Sequence, residues 1–263
     1  MSADGPRDVE SMRKWWDEKA RSYDELYETF AGAVEHRVDW ELLKGHLPQK
    51  RDAKILDAAG GTGRMTLPLA RMGYPVTLCD LSSGMLSVAR QKMLREGVSD
   101  KVEIVEGDVR KLRFTDESFD FALCWMMIDA AKKLIRVTKK GGVISVWLRN
   151  KYGEAIRKFH EDSDSALASL RSKPSYVYHG KEKDRVFSVD EAREFFENES
   201  VKVIDIYAVR GMLDLLSIPK EVRESSSWDE KFFRQVTEML LRLSKESSVK
   251  GLSSLFVLYG ERI

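Results

Sequence analysis

Between residues 52 and 150 the chain alternates short apolar runs with stretches of helical period. Residues 54–57, 76–80, 102–108, 119–125 and 143–149 are strand candidates, each built on a short apolar or alternating run and bounded by turn residues. A helical stretch to Met72 follows the first run. Ser82 stands where it caps another, running to about Arg95, and Gly141-Gly142 introduces the fifth run. Such alternation predicts a mainly parallel, doubly wound sheet. Upstream, Trp16, Ala20, Tyr23, Tyr27 and Phe30 recur at spacings that put them on one helix face. Residues 34–47 predict a second helix, ending at Pro48. Downstream, Ser188-Val189-Asp190-Glu191 reads as a capping box opening a helix to about Asn198. Residues 201–209 and 255–260 are two more strands. Between them Ser227-Trp228-Asp229-Glu230 caps a helix whose Phe233, Val236, Leu240 and Leu243 share a face.

Composition narrows the class. Of the 263 residues 43% are hydrophobic, enough for a real core, and no uncharged apolar run is long enough to span a membrane. Residues 1–10 are polar and lack the apolar stretch of a signal peptide. Cys79 and Cys124 are the two cysteines, both inside strand-like runs, which argues against a disulfide framework or a metal site. A reducing, cytoplasmic compartment is the expectation. Lys plus Arg number 44 against 43 Asp plus Glu, so any polyanion surface is a local patch. The charged fraction of 33% fits a heat-adapted source or a well-solvated surface equally.

The decisive stretch is Ile55-Leu56-Asp57-Ala58-Ala59-Gly60-Gly61-Thr62-Gly63, an apolar strand feeding a glycine-rich turn that opens a helix. Glycines there let the backbone approach a ligand and adopt positive φ, and the helix beyond presents unpaired N–H groups. Pro68 fits if the helix starts near Thr66. The dinucleotide fingerprint G-x-G-x-x-G fails. Counted from Gly61 its third glycine falls on Thr66, and counted from Gly60 its second falls on Thr62. An acid ending the first strand, Asp57, suits a sulfonium cofactor with an α-ammonium group. Asp80 ends the second strand, where a carboxylate accepts both ribose hydroxyls or simply caps a helix. Asp108 ends the third, where it accepts an adenine amino group while the Val109 N–H donates to the ring, or closes a plain turn with Gly107.

Residues 52–150 resemble the class I S-adenosylmethionine-dependent methyltransferase superfamily. The motif is D-x-G-x-G-x-G with Ala59 in place of the first glycine, and Lys139-Lys140-Gly141-Gly142 resembles the family's K-P-G-G turn. The resemblance implies a Rossmann-like α/β sheet of seven strands, the last antiparallel and inserted between the fifth and sixth. It implies S-adenosylmethionine held by Asp57, Ala59, Gly60, Gly61, Gly63, Asp80, Leu81, Asp108, Val109 and Cys124. It also divides the chain into a helical N-terminal lid (1–51), a cofactor-binding core (52–150), an acceptor-side insertion (151–187) and the completion of the sheet with a helical insertion (188–263). The run from Ile55 to Leu86 is similar to the branch that methylates the carboxymethoxy group of tRNA wobble uridine, and residues 209–214 faintly resemble its tail. One departure stands out. Residues 124–129 run almost directly into the next helix, without the family's usual H-x-x-D-P segment.

Methyl transfer is an in-line displacement at an activated carbon, so the protein mainly positions the acceptor and excludes water. Tyr23, in Ala20-Arg21-Ser22-Tyr23-Asp24, resembles the A-x-x-Y-D of lid helices, with helix-face packing as the alternative. Arg37 stands either to pair with the cofactor carboxylate or to face solvent. Trp125 either borders the methyl group with its π face or is a core residue. Residues 171–185 interleave Lys and Arg with Tyr176, Tyr178 and His179, which suits an anionic small molecule or tRNA, or a solvated loop. His36, His46 and His160 read as surface residues. No metal is expected. The acceptor is expected to be a small metabolite or a modified nucleoside, with a non-catalytic cofactor-binding module as the rival.

Overall fold

The structure, a computed structural model, describes residues 8–125, 130–171, 174–179 and 182–263. It opens with α1 (Val9–Lys19), a 3₁₀ turn (Asp24–Tyr27) and α2 (Phe30–Lys44). The single helix face expected from Trp16 to Phe30 is broken. The chain leaves α1 at Ala20, and the Thr29 hydroxyl accepts the Gly32 N–H to start a fresh helix at Phe30. Trp16, Tyr23 and Tyr27 nevertheless meet edge to face, with ring centres 5.9 and 6.0 Å apart.

The alternating region forms β1 (Ile55–Ala58), α3 (Thr66–Arg71), β2 (Val76–Asp80), α4 (Ser83–Arg95), β3 (Val102–Glu106), β4 (Phe119–Cys124), α5 (Ala131–Val137) and β5 (Thr138–Arg149). Gly141 and Gly142 lie inside β5 rather than before it. Their irregularity shifts the β4 pairing between Phe119↔Thr138 and Phe121↔Val143. The insertion comprises α6 (Lys151–Lys158), α7 (Ser163–Arg171) and a hairpin, β6 (Ser175–His179) with β7 (Glu182–Val186). Those two strands escape the sequence because β7 reads Glu-Lys-Asp-Arg-Val, with no apolar alternation. The rest is α8 (Val189–Asn198), β8 (Val201–Arg210), α9 (Met212–Leu215), α10 (Lys220–Arg223), α11 (Glu230–Leu243), α12 (Ser247–Leu252) and β9 (Leu255–Arg262). The capping box at Ser188 and Glu191 is formed with both its hydrogen bonds.

The seven-stranded sheet runs β3-β2-β1-β4-β5-β9-β8. The first five strands pair in parallel, and β9 enters antiparallel between β5 and β8. Every residue of β1 and β2 is buried, because helices cover both faces. One face packs Phe30, Val34, Leu43, Leu69 and Tyr74 against the sheet, and the other packs Leu134, Phe187 and Phe196. Each such side chain contributes about 1.5–3 kcal/mol on leaving water. The effect is to fix the carboxyl ends of β1 to β5 in one rigid row. No helix among the described residues is long and apolar enough to cross a membrane.

Candidate active site

The turn after β1 takes its shape from backbone conformation. Ala59, Gly61 and Gly63 all have positive φ, at 58°, 56° and 77°. Ala59 therefore occupies a left-handed position that glycine fills without strain, at a cost of about 1–2 kcal/mol. A Cβ on Gly60 would strike the Asp57 carboxyl and Leu78, whereas one on Gly61 would meet only Met85 Sδ, at 3.9 Å. Gly60 is thus required by the protein's own packing, and Gly61 keeps open space above the turn. α3 begins at Thr66, which puts Pro68 in its first turn as expected.

Three acids mark successive strand ends. Asp57 is buried and accepts the Thr66 hydroxyl at 2.6 Å; burial pushes its carboxyl up to about 6 despite that bond. Asp80 accepts the Gly61 N–H on Oδ2 and the Ser82 N–H on Oδ1, each at 2.9 Å. Burial raises its pKa, against the pull of those donors. Each carboxylate oxygen keeps a second lone-pair direction. Asp108 is engaged by its neighbour. The Arg110 side chain lies on both of its oxygens, the Arg110 N–H donates to Oδ1, and these bonds hold its carboxyl below the usual range. Leu81 is half-buried beside Asp80. Val109 is buried after Asp108, and Cys124 is buried at the end of β4, paired with Ala58.

The N-terminal segment reaches across these strand ends. Asp17 of α1 accepts the Ser82 hydroxyl at 2.6 Å and the Gly84 N–H at 2.8 Å, at the start of α4. Asp24 accepts the Thr62 hydroxyl at 2.6 Å and pairs with Lys92 at 2.6 Å. Asp24 closes the A-x-x-Y-D segment, whereas Asp17 carries no signal beyond lying on the polar side of its helix.

Over β4 and β5 the wall becomes aromatic and basic. Trp125 stacks on Trp147 at 4.6 Å, nearly parallel, and its Nε1–H donates to Ser145 at 3.1 Å. Arg64, the residue after Gly63, lies 4.5 Å from the Tyr27 ring centre and 5.4 Å from that of Trp125. Its Nη1 donates to Asp39 at 3.1 Å and to His36 Nδ1 at 3.2 Å. Asp39, fully buried, also accepts from Arg210, which pairs with Glu35 as well. Burial and the adjacent guanidinium depress His36 to about 4. Burial also raises the Tyr23 phenol pKa, so that hydroxyl stays neutral. The sequence signal for Arg64 is its place directly after the glycine motif. Asp39 carried a signal too, as an acid between the apolar Val38 and Trp40.

Several expectations need correction. Arg37 faces solvent and pairs with Glu41 at 3.4 Å, since it lies on the outer side of α2. His46 is not a surface residue; its ring stacks on Tyr259 at 3.8 Å and bonds Asp205 at 2.9 Å. His36 likewise faces inward, towards Arg64. Of the basic segment, Arg185 folds over the rings of Phe187 and Phe195, at 4.5 and 4.7 Å, instead of reaching into water. Lys181 lies outside the described residues, as do the side chains of Lys183, Tyr178 and His179. Residues 126–129, in the short connection after β4, also lie outside them.

Residues 55–142 match the family described as "Methyltransferase domain". Over that stretch the chain is similar to a methyltransferase domain. It is 40% identical over 107 residues to the ubiquinone/menaquinone biosynthesis C-methyltransferase UbiE of a Bradyrhizobium species, covering 38% of this chain and 42% of that protein. To the protein of the same name from Pseudomonas paraeruginosa it is 34% identical over 138 residues, covering 48% and 53%. The chain therefore spans about half the length of these curated relatives. Among solved structures, the [4+2]-cyclase SpnF superposes with a TM-score of 0.63 at 14% identity, over 99% of both chains. A SAM-dependent methyltransferase of Thermotoga maritima superposes with a TM-score of 0.55 at 19% identity, over 96% of this chain and 100% of the other. Both likenesses speak to the fold alone.

Proposed function

We propose that this chain transfers the methyl group of S-adenosylmethionine to a small organic acceptor. The observation that carries the reading is the turn after β1, with its positive φ angles, set between three acids at successive strand ends. The residues fit the cofactor chemically. Asp80 has a lone pair left on each oxygen for the two ribose hydroxyls, and Leu81 flanks it. Gly60, Gly61 and Gly63, with Ala59, let the backbone approach the amino-acid portion, whose α-ammonium Asp57 attracts. Val109 N–H and Asp108 flank the adenine position, where Asp108 exchanges Arg110 for the amino group. Cys124 lies on the floor between β1 and β4, and Tyr23 closes the site from the lid. When bound, the cofactor supplies an electrophilic methyl group; the protein orients the partners and keeps water out.

The lid (1–51), the core (52–150), the insertion (151–187) and the completing segment (188–263) divide the labour in the same sense. A small acceptor is favoured over tRNA because Arg185, one of the few basic side chains described in the 171–185 segment, is turned onto Phe187 and Phe195. Calorimetry with S-adenosylhomocysteine and NAD tests the reading. Micromolar binding of the former and none of the latter is expected. Saturable NAD binding with no response to S-adenosylhomocysteine would overturn it.

A further inference from the structure

Hydrogen-bond donors without acceptors gather on the β4–β5 side of the site. Arg64 uses only Nη1; its Nε and Nη2 make no hydrogen bond within the described residues. Trp147 Nε1 is buried with no partner, and its ring lies 5.8 Å from the Arg64 guanidinium. A buried donor left unpaired costs about 1–3 kcal/mol, so the protein holds Trp147 Nε1 at a penalty that an acceptor-bearing ligand relieves, and the unused edge of Arg64 lies beside it. Strand order says which ligand. Adenine and ribose belong over β3 and β2 and the methyl donor over β1 and β4, so a group over Trp125 and Trp147 lies on the acceptor side.

The same face offers no free base among the described residues. His36 accepts from Arg64 through Nδ1, so any proton it carries sits on Nε2 as a donor. Asp39 is held between two guanidinium groups, and Glu35 pairs with Arg210. Asp24 is taken by Thr62 and Lys92. An acceptor that had to lose a proton would find none of these described groups free to take it.

We infer that the acceptor enters as a preformed organic oxyanion, a carboxylate or an acidic phenol on a planar skeleton, held by the free edge of Arg64 and by Trp147 Nε1. The inference rests on the methyl-transfer reading. The planar skeleton follows from the stacked indoles and Tyr27, and the charge from a guanidinium fork whose geometry suits oxyanions. The anion's electron pair forms the new bond to the methyl carbon as the carbon–sulfur bond breaks and its pair stays on sulfur. Sulfonium and oxyanion are both neutralised, and no proton is transferred.

The test uses the protein saturated with S-adenosylhomocysteine and two probes, 4-nitrophenolate at a pH where it is ionised and neutral 4-nitroanisole. Quenching of the Trp125–Trp147 fluorescence reports binding. The phenolate is expected to bind at least tenfold more tightly than the anisole. Arg64→Gln should abolish that preference, Arg64→Lys should keep part of it, and Trp147→Phe, which retains the stack, should weaken the phenolate about threefold or more. Equal affinities for the two probes, or a preference that survives Arg64→Gln, overturns the inference. It is also overturned if Arg64→Gln weakens S-adenosylhomocysteine but not 5′-methylthioadenosine, because the fork then belongs to the cofactor's carboxylate. Should the wild-type protein fail to bind S-adenosylhomocysteine at all, the methyl-transfer reading itself falls.

Discussion

Asp57 and His36 should give the cofactor-free protein opposite pH dependences that largely cancel. Burial raises Asp57 from 3.8 to about 6, so between those values the native state holds more protons than the unfolded chain. Stability from this group is present below pH 4 and is lost as pH rises to 6. The shift is worth up to about 3 kcal/mol at 1.36 kcal/mol per unit. His36 falls from 6.5 to about 4, so the unfolded chain holds the extra proton and stability is gained over nearly the same interval. Its magnitude is again up to about 3 kcal/mol, less whatever solvent screening removes at a partly accessible ring. Arg64 lowers both pKa values, which ties the two groups to one charge. Urea midpoints are measured at pH 4, 5, 6 and 7. Relative to the wild type, Asp57→Asn should gain stability as pH rises across this range, and His36→Gln should lose it. If both variants keep the wild-type profile, neither group has the environment described.

Three further outcomes follow from the same geometry. Ala59→Gly should stabilise the protein by about 0.5–1 kcal/mol, the left-handed cost less the added chain entropy of glycine, seen as a higher Tm; a lower Tm contradicts the strained turn. Asp80→Ala should weaken S-adenosylhomocysteine by about 1.5–3 kcal/mol in calorimetry. It should also lower apo stability by about 1–3 kcal/mol, because the Gly61 and Ser82 N–H groups lose their acceptor; unchanged affinity would leave Asp80 a structural residue only. Asp17→Ala should cost about 0.5–2 kcal/mol and hasten tryptic cleavage within α1, since the helix loses its hold on Ser82 and Gly84; an unchanged digestion rate would show that α1 is held elsewhere.

The sheet was legible because each strand from β1 to β5 carries a short apolar run ending in a residue that marks its edge. Asp57, Asp80 and Asp108 announce that edge, and the glycine turn announces the ligand. Elements that failed to announce themselves are those whose shape is set by tertiary contact. β7 is charged along its length and is held by pairing with β6 rather than by an apolar face. Ring spacing from Trp16 to Phe30 suggested one helix because contacts between aromatic side chains look alike whether a helix or a 3₁₀ turn brings them together. Arg37 and Arg64 show the limit for site residues. Both are arginines on helical or loop segments near the site, and only the fold decides that one points to solvent and the other to Asp39. Asp17 acts on residues far along the chain, Ser82 and Gly84, so no local spacing reveals it.

The position of β9 bears on how the molecule is assembled. Val143 of β5 pairs with Glu261, and Val201 of β8 pairs with Arg262, so one late strand supplies both seams. Until it docks, β5 exposes an apolar edge and β8 has no neighbour in the sheet. These pairings join residues more than a hundred positions apart on the β5 side, a separation that slows folding because loop closure precedes any gain from contact. The parallel half, β1 to β5, can form from nearer neighbours, which leaves a half-built sheet with an open edge as the state most prone to pair with another chain.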